Sequence, residues 1–133
     1  MKMVITIAVA NVLAISLTLV FYLFYTKSDQ FYTMEERCAA NGFRVESYNV
    51  VTSDDYVLSL YRIPGTFQES QDDIKKKPAV LLMHCLNCDM MEWIWNDSDR
   101  ATAFILARAG YDVWMGNNRG SKFSLGHLTI DIS

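Results

Sequence analysis

The chain has 133 residues and a formal net charge of -3 at pH 7; 51% of its residues are hydrophobic and 20% are charged. Beyond an apolar N-terminal segment, about a hundred residues remain, within the size range of one small domain. The acidic balance lacks the basic patch that nucleic-acid binding requires, so no nucleic-acid partner is expected. The sequence has no internal repeat or low-complexity tract, which excludes solenoid and disordered classes.

The N-terminal segment carries no charged residue from Met3 to Tyr25. A helix of that length rises roughly 34 Å, enough to cross a hydrocarbon core of about 30 Å. A cleaved signal peptide has a shorter apolar core and small residues before the cut, whereas residues 21–25 are bulky and mostly aromatic, as at a membrane interface. We predict a transmembrane or signal-anchor helix over residues 1–27, with a cleaved signal peptide as the alternative. Either way, the remainder is expected in a lumen or outside the cell, secreted if the leader is cleaved.

Residues 28–41 read as a polar linker and a short helix that stops at Asn41-Gly42. Residues 45–52 and 56–63 are rich in β-branched and aromatic residues and flank the polar turn 53–55, which predicts a β-hairpin. The segment that follows, residues 66–77, carries both charge signs. We interpret it, including the lysines at 75–77, as a solvated loop.

Residues 79–83 form a continuous apolar run, typical of a strand buried on both faces of a parallel sheet. Ser98 or Asp99 is placed to cap a following helix that Gly110 ends, and residues 111–115 form the next extended run. The apolar face of this helix is predicted to hold Ala101, Phe104, Ile105 and Ala109.

A strand, a helix and a second strand in that order form a βαβ unit, so the sheet is at least partly parallel. The predicted fold class is therefore α/β, with a β-hairpin and a βαβ unit in an incomplete sheet. The predicted parts are a leader at 1–27, a linker and short helix at 28–41, and a folded region at 42–133.

The three cysteines, Cys38, Cys85 and Cys88, are an odd number, so at least one is expected to be unpaired. The C-x-x-C spacing of the last two suggests a thiol redox site or half of a zinc site. A four-ligand site would need His84, adjacent to Cys85, together with His127, an awkward geometry for a tetrahedron. We interpret the pair as ordinary loop cysteines and expect no metal and no cofactor.

Several segments together resemble the acid lipase family, which includes the gastric and lysosomal acid lipases. The resemblance covers about residues 42–127, in the family's order and spacing. It is carried by Glu46–Gly65, Lys77–His84, Trp93–Asn96, Ala103–Asn117, Arg119-Gly120 and His127. It implies an α/β-hydrolase that cleaves carboxylic esters of neutral lipids in a lumenal or secreted setting, using a Ser nucleophile, an Asp and a His.

No G-x-S-x-G motif occurs in the 133 residues. The stretch Gly116–Gly120 has the glycine spacing, but Asn118 stands at its centre, and an amide cannot attack an ester. The resemblance implies that this stretch is a loop before the nucleophile, where the family usually has Ser at the position of Asn118. It also implies that His127 is an early family histidine and not the catalytic one. No catalytic residue is therefore assigned, and the chain alone is expected to be inactive.

One element of the family's oxyanion site has a counterpart. In these lipases the backbone N–H of the Leu in a His-Gly-Leu loop stabilises the oxyanion; here the loop reads His84-Cys85-Leu86, so Leu86 is the candidate donor. Cys in place of Gly restricts the backbone angles. His84 either hydrogen-bonds a neighbouring loop or supports this site. Asp55 likewise stands where the family usually has Gly in the hairpin turn.

Three functional hypotheses remain open. The first is a partial acid lipase of lipid metabolism, with neutral lipid esters as substrates only if a full-length form exists. The second is a membrane-anchored accessory or scaffold module that is not catalytic. A protein partner would then cover the sheet edge that the strand at 111–115 is expected to leave open. A thiol redox protein that uses Cys85 and Cys88 is the third. The three tryptophans, Trp93, Trp95 and Trp114, are interpreted as core residues.

Overall fold

The computed structural model describes residue 11, residues 13–22 and residues 33–131. The chain divides into two compact units, Met1–Tyr32 and Thr33–Ser133. In the first unit the described residues are helical and their side chains are exposed. Most of the predicted leader at 1–27, and the linker up to residue 32, lie outside the described residues. Within the described part of the chain, no helix has the length and apolar character needed to span a membrane.

The described residues of the second unit, 33–131, contain three short α-helices, one 3-10 helix and five strands. In chain order these are α1 (Met34–Ala40), β1 (Glu46–Val51), β2 (Tyr56–Ile63), α2 (Gln71–Ile74), β3 (Ala79–Met83), the 3-10 helix (Met90–Trp93), α3 (Thr102–Arg108), β4 (Asp112–Gly116) and β5 (Gly126–His127).

The strands form one mixed sheet in the order β1-β2-β4-β3, and β5 pairs with β2. The pairs β1–β2, β2–β4 and β2–β5 are antiparallel. The pair β3–β4 is parallel, and α3 connects its two strands. The α/β class, the hairpin and the βαβ unit are therefore as the sequence predicts.

Helix α1 begins with a capping box. The Glu36 N–H donates to the Thr33 hydroxyl at 3.2 Å, and the Thr33 N–H donates to the Glu36 carboxylate at 2.9 Å, so two otherwise unpaired N–H groups have partners. The helix buries Met34 and Cys38. The Arg37 guanidinium donates to the backbone carbonyls of residues 94–96 and so ties α1 to the segment after the 3-10 helix.

One face of the sheet carries the core. Ile63, Val113 and Met115 are fully buried there, and Phe104 of α3 stacks on Phe43 with ring centroids 5.2 Å apart. Burying such side chains is the main favourable contribution to folding.

The opposite face of the sheet contradicts the expectation for β3. Only Val80 and Leu82 point toward the core, whereas Leu81 is 59% exposed and Met83 is also exposed. The strand therefore does not have both faces buried. It is also the edge strand, and β4, predicted to form the open edge, lies between β2 and β3. An apolar run shows that the side chains of a strand are hydrophobic. It does not show which other segments of the folded chain cover them.

Helix α3 begins later than predicted. Its N-cap is Ala101, without a side-chain cap, because the Asp97 carbonyl already accepts the N–H groups of Arg100 and Ala101 in a separate turn. Neither predicted cap, Ser98 or Asp99, caps the helix, and Ser98 instead accepts a hydrogen bond from the Arg108 guanidinium at 3.0 Å. The buried face also differs from the predicted one: Ala103 and Ala107 are buried with Ala101 and Phe104, while Ile105 and Ala109 are exposed.

Two further expectations are corrected. The segment 66–77 is not wholly a solvated loop, because it contains α2 with a buried Ile74. The side chain of Lys77 is only 8% exposed, and its ammonium lies 2.6 Å from the Glu69 carboxylate. Trp95 is exposed rather than in the core, since it follows the 3-10 helix on the surface.

The hairpin turn places Asp55 at φ +65°, in the left-handed region that favours glycine. Replacing Asp55 by Gly is expected to raise the free energy of unfolding by about 0.5–1 kcal/mol, because the Cβ clash disappears. Asp55→Ala keeps the Cβ and is the matched control, expected to gain nothing. Urea denaturation followed by tryptophan fluorescence measures both, and a destabilised Gly variant would contradict the expectation.

Candidate functional site

The carboxyl ends of the parallel strands β3 and β4 bring two loops together, the place where α/β sheets commonly bind ligands. A cleft of about 610 Å³ lies between residues 84–89 and residues 118–122. His84 immediately follows β3, and Asn117 immediately follows β4. The candidate oxyanion loop therefore faces the Gly116–Gly120 stretch.

His84 joins the two loops. Its Nε2 accepts a hydrogen bond from the Asn118 backbone N–H at 3.0 Å, and its Nδ1 lies 2.8 Å from the Cys85 carbonyl oxygen. A neutral ring protonated on Nδ1 makes both bonds, donating to the carbonyl and accepting from the amide. The ring therefore fixes the spacing between the loops. Its bond to Asn118 is the hydrogen bond to a neighbouring loop that one of the two interpretations of His84 expects.

The loop after His84 turns tightly. The Cys88 N–H donates to the Cys85 carbonyl at 3.3 Å, and Asn87 adopts φ +63°, a conformation that Asn tolerates better than most residues. Cys85 is not among the described residues with positive φ, so the left-handed angle falls on Asn87 and not on the position where the family has Gly. The Leu86 side chain is 97% exposed at the tip of this turn.

Asn117 joins several segments through hydrogen bonds, a role that the sequence did not predict. It is 2% exposed, its Oδ1 accepts from the Met90 N–H at 3.1 Å, and its Nδ2 donates to the Ser59 carbonyl at 3.0 Å. The Ser124 hydroxyl donates to the Asn117 carbonyl at 3.2 Å and accepts from the Ser59 N–H at 2.9 Å. Four segments meet at Asn117, two of them through its side-chain amide and one through its backbone carbonyl in addition to its own, and only its place directly after a strand indicates the role.

Arg119 connects the loop after β4 to the hairpin turn. Its guanidinium forms two hydrogen bonds with the Asp54 carboxylate, at 2.5 and 3.2 Å, and lies 4.4 Å from the centre of the Tyr56 ring. Hydrogen bonding to Arg119 lowers the pKa of Asp54 to about 2. His127 packs edge-on against Tyr56 at 4.7 Å and accepts N–H groups of the following turn.

The two cysteines interpreted as ordinary loop cysteines lie in the loop after β3, and the structure shows the pairing that the sequence leaves open. Cys85 and Cys88 form a disulfide, with their Cα atoms 5.4 Å apart, and Cys38 is the unpaired third. Burial in the core raises the pKa of Cys38 to about 12, so this thiol stays protonated and unreactive in the folded protein.

The site contains parts of a binding loop and no assembled nucleophile. Acyl transfer by a serine hydrolase needs a Ser hydroxyl hydrogen-bonded to a base. Among the residues that the structure describes, neither His84 nor His127 is hydrogen-bonded to a serine hydroxyl. What the arrangement does offer is an exposed turn that lines an open cleft.

Comparisons with known proteins identify the region. Residues 34–97 match the model of the partial alpha/beta-hydrolase lipase region. Over 92 residues, 69% of this chain, the sequence is 45% identical to lysosomal acid lipase/cholesteryl ester hydrolase from Homo sapiens and 42% identical to Lipase member J from Homo sapiens, covering 23% and 25% of those proteins. It is 46% identical to gastric triacylglycerol lipase from Mus musculus over 83 residues, 62% of this chain and 21% of that lipase.

The chain thus spans about a quarter of the length of the curated relatives it matches. The matched residues include α1, the hairpin, β3 and the loop that lines the cleft. Over these residues the chain is similar to the gastric and lysosomal acid lipases, and residues 34–97 match the partial alpha/beta-hydrolase lipase region.

Proposed function

We propose that this chain supplies the N-terminal part of an α/β-hydrolase that cleaves carboxylic esters of neutral lipids, with the backbone N–H of Leu86 as one oxyanion donor. Support for the reaction class comes from the relatives, whose names specify a cholesteryl ester hydrolase and a triacylglycerol lipase. The comparison is made to a part of those proteins, so the activity is proposed for the assembled hydrolase and not for the 133 residues alone.

The observation that carries the proposal is the position of the loop after β3. It lies at the carboxyl end of the β3–β4 parallel pair, and the His84–Asn118 hydrogen bond holds it against the next loop. Backbone N–H groups positioned in this way stabilise charge on a carbonyl oxygen because they need no reorganisation during the reaction. The exposed turn at Leu86 leaves room for an ester above it.

The chain alone is expected to be inactive, because it has no G-x-S-x-G and neither described histidine is hydrogen-bonded to a serine hydroxyl. The purified 133-residue chain is expected to show no turnover of p-nitrophenyl butyrate above buffer and no labelling by a serine-reactive fluorophosphonate. A gastric triacylglycerol lipase serves as the positive control for both assays. Turnover together with a labelled serine would show a nucleophile outside the family's pattern and would contradict the expectation.

We also propose a lumenal or extracellular location, reached through the apolar N-terminal segment acting as an uncleaved anchor. The support is the uncharged run from Met3 to Tyr25 and the lysosomal and gastric names of the relatives. Carbonate extraction of expressing cells tests the anchor: an anchored chain stays in the membrane pellet with its N-terminus intact. A chain that is released and begins after residue 25 would establish the signal-peptide alternative.

A second candidate is a non-catalytic module whose partner covers the uncovered sheet face. It is favoured by the exposure of Tyr48, Val50, Leu81 and Met83, which the β1-β2-β4-β3 register places on the same face. Apolar surface of this kind is an aggregation hazard unless it is covered. Recovery of the chain in one stoichiometric complex would support this role, whereas a stable monomer with cooperative thermal unfolding would argue against it.

A further inference from the structure

The disulfide between Cys85 and Cys88 has no part in the proposed hydrolysis, yet it lies at the cleft. It closes a ring of only four residues on the surface. Cys85 is exposed and Cys88 is half-buried, so a thiol in solution reaches the bond without unfolding of the protein. Cys38, by contrast, is fully buried and is not accessible to a thiol in solution. Accessibility of this kind is typical of exchangeable rather than structural disulfides.

Glu92 provides a partner for the pair in its reduced state. Its Oε2 lies 3.4 Å from the Cys85 sulfur, and its Oε1 accepts the Cys85 backbone N–H at 3.1 Å. A carboxylate at this distance accepts a thiol S–H when the bond is broken, and its charge disfavours the thiolate. The backbone hydrogen bond keeps the carboxylate in place in either redox state.

We propose that Cys85 and Cys88 form a reversible thiol–disulfide exchange site whose redox partner is a low-molecular-weight thiol of the glutathione type. The partner's thiolate attacks the Cys85 sulfur, the disulfide breaks, and Cys88 leaves as a thiolate that takes a proton from water. A second thiolate then attacks the partner's sulfur in the mixed disulfide, and Cys85 leaves and is protonated. Two thiols are oxidised to a disulfide, and the pair gains two electrons and two protons.

The exchange changes the loop that bears Leu86. In the oxidised state the ring restrains Leu86 and Asn87, and Asn87 is held at φ +63°. Reduction removes the covalent restraint and leaves the 3.3 Å hydrogen bond between Cys88 and Cys85 to hold the turn. Control of an oxyanion donor by this change rests on the proposed function; the exchange site itself does not.

The test uses the full chain in detergent micelles, equilibrated in buffers of increasing ratio of glutathione to glutathione disulfide and then trapped with a maleimide for mass analysis. The native chain is expected to take two labels when it is trapped in reducing buffer, and none when it is returned to oxidising buffer before trapping. Cys38 is expected to stay unlabelled throughout. Cys38→Ala should behave identically. Cys85→Ser and Cys88→Ser should each take one label in reducing buffer, and should carry one glutathione in its place as the buffer becomes oxidising.

Two results would overturn the proposal: no labelling until denaturant is added, or labelling of all three cysteines together, which would mean that reduction unfolds the chain. Circular dichroism of each variant confirms that it is folded. No hydrolytic readout is used, so failure here is distinguishable from failure of the proposed esterase function.

Glu92→Gln tests the neighbouring carboxylate, because Gln retains an acceptor for the Cys85 N–H but carries no charge. Re-oxidation of the reduced pair by glutathione disulfide at pH 7 is expected to be about threefold faster, since more thiolate forms while each thiolate is a slightly weaker nucleophile. An unchanged or slower rate would remove Glu92 from the site.

Discussion

Replacing Leu86 by proline is expected to lower kcat for p-nitrophenyl butyrate by about 10²–10³-fold in a chimeric lipase, the usual cost of losing one oxyanion donor. The chimera carries residues 42–127 of this chain in place of the matching segment of a gastric triacylglycerol lipase, which supplies the nucleophile, acid and base. Proline has no backbone N–H. The rate of fluorophosphonate labelling should fall in parallel, because that reaction also develops negative charge on an oxygen.

Leu86→Ala is the matched control, since it keeps the backbone N–H and removes an exposed side chain that makes no core contact. It is expected to retain kcat within about threefold. Thermal unfolding of both variants separates a lost donor from a lost fold. Equal activity of the proline and alanine variants, with both folded, would show that this N–H does not contact the oxyanion.

Asn117→Ala is expected to lower the free energy of unfolding by about 3 kcal/mol. The substitution leaves the Met90 N–H and the Ser59 carbonyl buried without the partners they now have at 3.1 and 3.0 Å. Each unsatisfied buried group costs about 1–3 kcal/mol, and access of water to the enlarged space recovers a part of the sum. Urea denaturation of the full chain in detergent micelles, followed by tryptophan fluorescence, measures the change.

Asn118→Ala is the adjacent control. Asn118 is exposed and contributes its backbone N–H, not its side chain, to the bond with His84, so a change of less than about 0.5 kcal/mol is expected. Asn117→Asp keeps the acceptor for Met90 but buries a carboxylate that faces the Ser59 carbonyl without a donor, so at pH 7 it should destabilise at least as much as Asn117→Ala. A loss below 1 kcal/mol for Asn117→Ala would mean that the loops meet without help from this amide.

Both predictions concern the loops that follow β3 and β4, and they address different properties of them. Leu86 is exposed and its role is to present a backbone group to a ligand, so its substitution should change catalysis and leave stability alone. Asn117 is buried and its role is to hold four segments together, so its substitution should reduce stability first. If the Leu86 variant lost stability first and the Asn117 variant lost catalysis alone, the roles assigned to the two residues would be wrong.

Local sequence patterns were sufficient for the secondary structure near the hairpin. Alternation and β-branched residues predict the strands at 45–52 and 56–63, and the structure has them at Glu46–Val51 and Tyr56–Ile63. The stop of α1 at Asn41-Gly42 follows from glycine's tolerance of positive φ, and Gly42 is at +81°. These features depend on neighbours within a few residues, so a single sequence contains the information.

The start of α3 could not be predicted from local patterns in the same way, because a competing set of hydrogen bonds before the helix determines it. Ser98 has the side chain of a good cap, but the carbonyl of Asp97 accepts the N–H groups of Arg100 and Ala101 in a separate turn and delays the helix to Thr102. Nothing in the local composition ranks these two arrangements. The exposed position of Ile105 is also not a local property, since packing of α3 against the sheet decides which face of the helix is buried.

What the sequence by itself determined is the α/β class, the hairpin, the βαβ unit and the family resemblance that directs attention to His84, Cys85 and Leu86. The tertiary structure alone decided that β3 is the edge strand, that Asn117 joins four segments, and that Cys85 bonds Cys88 beside Glu92. The reason is the separation along the sequence between the residues that interact. Periodicity, caps and turns reflect contacts a few residues apart, whereas strand order and buried polar partners join residues that are distant in sequence, such as Ser59 and Asn117, which are 58 positions apart.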